Sequence, residues 1–453
     1  MRKLVVPFLL LDTLLLAISP GVRAAKSEFH APDLTGPWVV NADLWGSPIF
    51  YRLELKDDAG KLTGILGGDK LEGTVTGNSV HFLAKDEEGG SEECSATIKL
   101  LAHSSSAEFS GRLTFIDAAN PSNPVTHTFI ATPAPKRSSA PPQRHDFTPT
   151  TFYRQFSALN APVLHVQPGD TVHTTTVDAG GTDEKSIRRV LGGNPETGPF
   201  YIETAEPGDT LVVHLNRVRL NRDWAISDDD LVPRAVDTEW SVKMKDAGKS
   251  VRWHLDIARG VATVEKPGEH LKDYSIPIRP MLGCLATAPP PAAAAPGAGD
   301  SGRYGGNMDF NENIEGATIY LPVSTPGALL YLGDGHAVQG DGELNGNALE
   351  TSMDVEFTVD VIPGKRVPGP RVESETHIMA MGLDGSIDDA FRQATVNMAG
   401  WLTEKYGLTP TEVAEVLGSS AEYKVSEVAD RNAGVVLKIN KDRLQSLPLT
   451  SAK

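Results

Sequence analysis

Apolar and polar residues alternate at period two in short runs between residues 33 and 130. Residues 51–55 (Tyr-Arg-Leu-Glu-Leu) follow this pattern, and 71–77, 80–83, 96–100 and 109–113 continue it. Such runs place one set of side chains inside and the other outside a half-buried strand. Gly60, Gly64, Gly73 and Gly77 punctuate them, and no stretch here has a helical period. This spacing predicts a small all-β domain over 33–130, a barrel or a sandwich. Residues 131–147 are rich in proline, alanine and serine and read as a linker.

From residue 148 the pattern becomes turn followed by apolar strand. Segments 163–172 and 201–213 each carry Pro-Gly-Asp-Thr, with the glycines at Gly169 and Gly208, and Thr325-Pro326-Gly327 is a related turn. Proline then glycine suits the two central positions of a type II turn. Repeated units of this kind fit a β-sandwich over 148–453. Residues 287–301 form a loop of proline, alanine and glycine. Helical signals come late. Ser386 with Asp389 can cap a helix running to about Tyr406, with Gly407 as its stop. Thr409-Pro410-Thr411-Glu412 is a second capping box with proline at the first helical position. Val413, Val416 and Leu417 share one face of that helix, and residues 435–439 read as a last strand.

Charge narrows the partners. With 59 acidic against 42 basic residues the net charge is −17, which disfavours nucleic acid. Arg2 and Lys3 precede a mostly apolar stretch over 4–18 that Asp12 interrupts, and Val22-Arg23-Ala24 resembles a small-residue cleavage site. A signal peptide over 1–24 is therefore expected, leaving a periplasmic or secreted chain. No later stretch is long and apolar enough for a stable membrane span. Cys94 and Cys284 are too few and too far apart for a disulfide framework, so two free or buried thiols are expected, with a single bridge as the alternative.

The densest chemistry lies in residues 333–343, Gly-Asp-Gly-His-Ala-Val-Gln-Gly-Asp-Gly-Glu, directly after the apolar run 328–332. Asp334 and His336 are two apart, so an extended chain projects them to one face. Asp341 and Glu343 repeat the spacing, and the intervening glycines allow both pairs to converge on one ion. An acidic surface loop is the plainer reading. Asn307 and Asp309 follow Gly305-Gly306 and could hold a metal or a substrate amide, or merely cap a turn. Asp178 ends a β-branched strand before Gly180-Gly181, at the mouth of a sandwich or in an Asx turn. Glu203 sits in an apolar strand, where burial could fit it for acid or base work. Cys284 has apolar neighbours and reads as a buried, inert thiol before a nucleophile. The chain has no Gly-x-Ser-x-Gly elbow and no phosphate-binding glycine loop.

Residues 194–199 (Asn-Pro-Glu-Thr-Gly-Pro), 305–309 (Gly-Gly-Asn-Met-Asp) and 333–343 occur in that order, with related segments at 167–172, 280–289 and 321–330. Together they resemble the acetamidase/formamidase family over about 147–447, leaving the N-terminal β-domain as an addition. The resemblance implies a mainly β fold with a β-sandwich core and a smaller α/β portion. It also implies hydrolysis of short linear amides to a carboxylate and ammonia. The chain departs from the family pattern at Thr204, where a glycine is usual, and at Met281, where an aromatic is frequent.

Amide hydrolysis needs an activated water, a polarised carbonyl and a proton for the leaving nitrogen. A divalent metal serves the first two and a carboxylate the third. Asp178, Asp309, Asp334 and His336 are the expected metal ligands, with zinc or calcium foremost. Glu343 is the expected general base, with Glu203 and Asp341 as alternates. Asn307 and Gln339 are expected to hold the substrate. Two other readings stay open: Cys284 as the nucleophile of an acyl-enzyme, and a non-catalytic exported binding protein on an amidase scaffold. A homodimer is the expected assembly.

Overall fold

The alternating N-terminal segment closes on itself. The computed structural model describes residues 32–450 apart from 45, 101–106, 245–247 and 292, so the expected signal peptide at 1–24 lies outside the described residues. Eight antiparallel strands pair in chain order: β1 (Gly36–Leu44), β2 (Ser47–Asp58), β3 (Lys61–Leu66), β4 (Asp69–Thr76), β5 (Ser79–Lys85), β6 (Ser91–Leu100), β7 (Ala107–Ile116) and β8 (Val125–Pro133). β8 returns to β1, with Val40 opposite Ala131, so the module is a barrel. The period-two pattern sends Trp38, Val40, Leu53, Leu62, Phe82, Phe109 and Phe129 into its interior. Each large side chain buried this way contributes roughly 1.5–3 kcal/mol, and closure leaves no open sheet edge. The last strand reaches Pro133, and Arg144–Asp146 already pairs in parallel with Thr171–Thr175 of the next unit. Residues 134–143 connect these two strands.

The rest of the chain is built on two large sheets. One contains the strands Glu196–Ile202, Met281–Ala286, Gly305–Asn307, Leu330–His336 and Glu350–Thr351. The other contains Thr171–Thr175, Thr210–Leu220 and Met353–Ile362, and continues to His377–Asp384, Ala433–Asn440 and Glu422–Glu427. Phe200, Ile202, Leu330 and Leu332 from the first bury against Leu211, Val213, Val355 and Phe357 from the second. The rings of Phe200 and Phe357 meet edge to face with centroids 5.3 Å apart. This is the expected β-sandwich, and its core is the continuous apolar layer between the sheets.

The repeated Pro-Gly-Asp-Thr turns are structural. Gly169 and Gly208 have φ of 98° and 94°, which only glycine adopts without strain. Each turn closes with a backbone bond from the aspartate, Asp170 to Gln167 and Asp209 to Glu206. The two aspartate side chains accept in return from the Gln167 and Glu206 amides.

The late helices form where expected. Ile387–Tyr406 starts on the Ser386 hydroxyl, which accepts from the Asp389 amide, and stops at Gly407 with φ 70°. Pro410–Ser420 carries the full Thr409–Glu412 capping box. Ala390, Ala394, Met398 and Leu402 pack onto Ile378, Ala380, Leu437 and Ile439, giving the smaller α/β portion. No helix among the described residues is long and apolar enough to cross a membrane. Cys94 and Cys284 are both buried and free, one in the barrel and one in the sandwich.

Candidate active site

The site forms where the strand Leu330–His336 lies between Met281–Ala286 and Glu350–Thr351. Register places His336 opposite Met281 on one side and Glu350 on the other. The Asp334 carboxylate, two residues earlier on the strand, puts Oδ2 3.2 Å from His336 Nε2. Asp309, just beyond Gly305–Asn307, puts Oδ1 3.5 Å from the same nitrogen. Glu350 Oε1 is 3.8 Å from Nε2, and Glu343 Oε1 is 3.9 Å from Nδ1 on the other side of the ring. All five groups are buried. Asp309, Asp334 and Glu343 hold left-handed backbone conformations, with φ of 39°, 52° and 47°. Conformations of this kind persist only where the surroundings over-determine them.

Four carboxyl groups around one imidazole cannot all ionise in a dry interior. Burial, with the charges of Glu343 and Asp334, pushes the Asp309 carboxyl well above the usual range. Burial, with Asp334 and further acids, does the same to Glu343 and Glu350. For Asp334 burial also acts upward, but the charge and hydrogen bond of His336 outweigh it and hold that group below its ordinary value.

These residues fit a divalent cation. Asp309 Oδ1, Asp334 Oδ1, His336 Nδ1 and Glu350 Oε2 are buried without a hydrogen-bond partner. Ligand atoms of Asp309, Asp334 and His336 lie within 4.8 Å of one another, as do those of His336, Glu343 and Glu350. Gly283 keeps the space between the carboxylates open. A Cβ there would stand 2.2 Å from Asp334 Oδ2 and 2.4 Å from Asp309 Oδ1. One imidazole with several carboxylates suits zinc, manganese or calcium.

The surrounding shell orients the acids. Asn307 donates to Asp309 Oδ2 and Asp430 Oδ2, both at 2.6 Å, and accepts from Asn194 at 3.0 Å. Gln339 donates from Nε2 to the Asp309 carbonyl at 2.6 Å and to the Ser426 carbonyl at 3.2 Å. Its Oε1 is buried with no partner. Glu196 lies behind Gly333, where a Cβ would come within 2.3 Å of its Oε2. Burial, the Asp334 charge and partial relief from the Cys284 thiol leave the Glu196 carboxyl well above the usual range. Burial and Glu196 in turn push the Cys284 thiol up.

Three of the expected site residues have their side chains engaged elsewhere. Asp178 stands beside the cluster, but Oδ2 accepts from Arg222 at 2.7 Å and Oδ1 from the Thr182 amide at 2.8 Å. Both of its oxygens are engaged, so it is the buried counter-ion of Arg222, while Glu350 lies 3.8 Å from His336 Nε2. Glu203 pairs with His165 at 2.8 Å at the protein surface. Asp341 is half exposed, bound to Lys424 at 3.1 Å and to Asn311 at 2.8 Å. Neither belongs to the cluster, because the turn at Gly340 and Gly342 sends only Glu343 inward. Asp309, Asp334, His336, Glu343, Asn307 and Gln339 are brought together.

Sequence reasoning passed over Glu350, Glu196, Glu427 and Asp430. Glu196 sat inside a singled-out motif and could have been found there. Glu350 reaches the site through strand register alone. Glu427 and Asp430 arrive on the turn after Glu422–Glu427, where Gly342 pairs with Glu427.

Residues 291–439 match the model of the Acetamidase/Formamidase family. The acetamidase of Mycolicibacterium smegmatis is 31% identical over 140 residues, which are 26% of this chain and 34% of that protein. The formamidase of Methylophilus methylotrophus is 25% identical over 300 residues, 52% of this chain and 72% of its own. The matched region thus spans about a third of the length of the first of these curated relatives. The crystal structure of an acetamidase from Bacillus halodurans superposes with a TM-score of 0.56 at 27% identity, covering 67% of this chain and 99% of that one. The part of the chain that follows the barrel is thus similar in sequence and in fold to proteins of the acetamidase/formamidase family, whose model matches residues 291–439.

Proposed function

We propose that the chain hydrolyses the C–N bond of short linear amides, giving a carboxylate and ammonia, with water activated at the Asp309–Asp334–His336–Glu350 cluster. The observation that carries this is the convergence of buried, partnerless carboxylate oxygens on one imidazole, in a chain whose relatives are named acetamidases and formamidases. Asp309, Asp334, His336 and Glu350 would hold a divalent metal, zinc or calcium foremost. When bound, such an ion lowers the pKa of water toward about 7 and polarises a carbonyl.

The chain's own groups do the rest. Glu343 lies on the far side of the imidazole from Asp334 and is the general base, taking a proton from water and passing it to the leaving nitrogen. The Gln339 carboxamide is fixed by its two donor bonds, which aims its free Oε1 inward to accept from an amide N–H of the substrate. Asn307 has both donors engaged and its oxygen accepting from Asn194, so it positions Asp309 and Asp430 at the edge of the substrate space. A thiol route would need Cys284 as thiolate, and the buried acids around it keep its proton on. We further propose that the mature chain acts outside the cytoplasm after cleavage near Ala24.

Metal analysis of the purified protein, paired with ammonia release from formamide, acetamide and longer amides, tests the reading. Dialysis against a chelator is expected to abolish ammonia release, and added zinc, manganese or calcium to restore it. Full activity in protein stripped of metal would sink the metal mechanism. Absence of ammonia release from every amide would favour the binding-protein reading.

A further inference from the structure

The barrel has an interior of its own, separate from the amidase site. An eight-stranded barrel is just wide enough either to fill with side chains or to hold one small ligand. Here Phe129, Phe109, Cys94 and Leu53 fill the middle. Toward the end bearing the β1–β2, β5–β6 and β7–β8 turns, the inward positions no longer meet. They leave a cavity of about 380 Å³ lined on its walls by Leu44, Leu113, Phe115 and Val125. Tyr51, Glu92 and His127 also line it.

Glu92 is the anomaly. It alternates with Cys94 and Ala96 on the inward face of β6 and stands opposite Phe115 of β7. Its Oε2 is buried and has no hydrogen-bond partner. An unpaired acceptor in an apolar lining is costly unless a donor arrives to meet it. Burial, together with the nearby charges of Asp69 and Asp86, pushes its carboxyl above the ordinary range. The mouth thus has apolar walls with one unpaired carboxylate oxygen among them, a combination that rewards an N–H donor carried on an apolar body. The Tyr51 ring adds a face on which a cation is favoured.

We propose that this barrel mouth binds a small lipophilic ammonium ion, an alkyl- or arylalkylamine, with its N–H donors on Glu92 and its apolar body against Leu113, Phe115 and Val125. The volume suits a ligand at the small end of the usual pocket range.

The test is calorimetric titration of the full chain at neutral pH with 2-phenylethylamine, 2-phenylethanol and phenylacetate, three probes sharing one body. Saturable binding of the amine is expected, with the alcohol at least tenfold weaker and the carboxylate unbound. Glu92→Gln should weaken the amine at least tenfold while leaving ammonia release from acetamide unchanged. Val125→Trp, which plugs the mouth and keeps the carboxylate, should remove amine binding as well. Failure of the amine to bind, binding of the alcohol or phenylacetate as tightly, or unchanged affinity in both variants would each overturn the proposal.

Discussion

One missing methyl group at position 283 decides whether two carboxylates can meet. A Cβ there would fall inside contact distance of both Asp309 and Asp334, so Gly283→Ala should expel bound metal and lower amide turnover by about 100-fold or more. Circular dichroism should show the β-rich fold retained. Wild-type metal content in that variant would show that the gap between the carboxylates is not the ion site. Cys284→Ala separates the two chemical readings, because the metal reading expects turnover within a few-fold of wild type and the thiol reading expects none. The spacing of Asp334 and His336 was legible as a shared strand face. The isolation of Asp341 was not, because the sign of a turn at Gly340–Gly342 depends on what packs against it.

At the level of elements, the cluster is held by neighbours that do no chemistry. The Asp178–Arg222 pair is buried, at 2.7 Å, and Arg222 also stacks on Trp224 with its guanidinium 3.5 Å from the ring centroid. Asp178→Ala leaves an uncompensated buried cation and should cost about 3–5 kcal/mol of stability, measured by denaturant unfolding. A destabilisation below about 1 kcal/mol would mean the arginine finds another partner. The Thr409–Glu412 capping box is a milder case. Thr409→Ala should cost about 1 kcal/mol and lower Tm by roughly 2–4 °C. Both helix starts were readable because a cap is a local interaction within four residues. The role of Asp178 was not, because its partner is 44 residues away.

At the scale of the whole molecule, the barrel is tied to the sandwich by a charged contact. Arg52 on the outer face of β2 reaches Asp209 at 2.7 Å, and Asp209 also holds the Glu206 and Gly364 amides. Beside it, burial and the Asp209 charge push Glu206 up to about 8, with Arg52 offsetting only part. The folded chain therefore keeps a proton on Glu206 that the unfolded chain loses above its ordinary value of 4.5. Stability from this group is fully present at low pH and is lost as pH rises toward about 8. Glu206→Gln should flatten this part of the profile and raise Tm relative to wild type at pH 8–9, with little difference at pH 5. Parallel melting curves across pH would show Glu206 to be uninvolved.

The sequence by itself determined whatever is encoded within a few neighbouring residues. Period-two runs specified the barrel strands, Pro-Gly-Asp-Thr the two sandwich turns, capping boxes the helices, and 333–343 the strand that carries Asp334 and His336. Tertiary structure alone decided which acids share the cavity. Glu350 is opposite His336 because of strand register, and Asp430 reaches Asn307 across 123 positions of chain. It also decided that Glu203 pairs at the surface and that Glu92 faces the barrel mouth with an unpartnered oxygen. Burial and opposition across a sheet are set by contacts between distant segments, and those contacts turn an ordinary carboxylate into a ligand, a counter-ion or an unpaired acceptor.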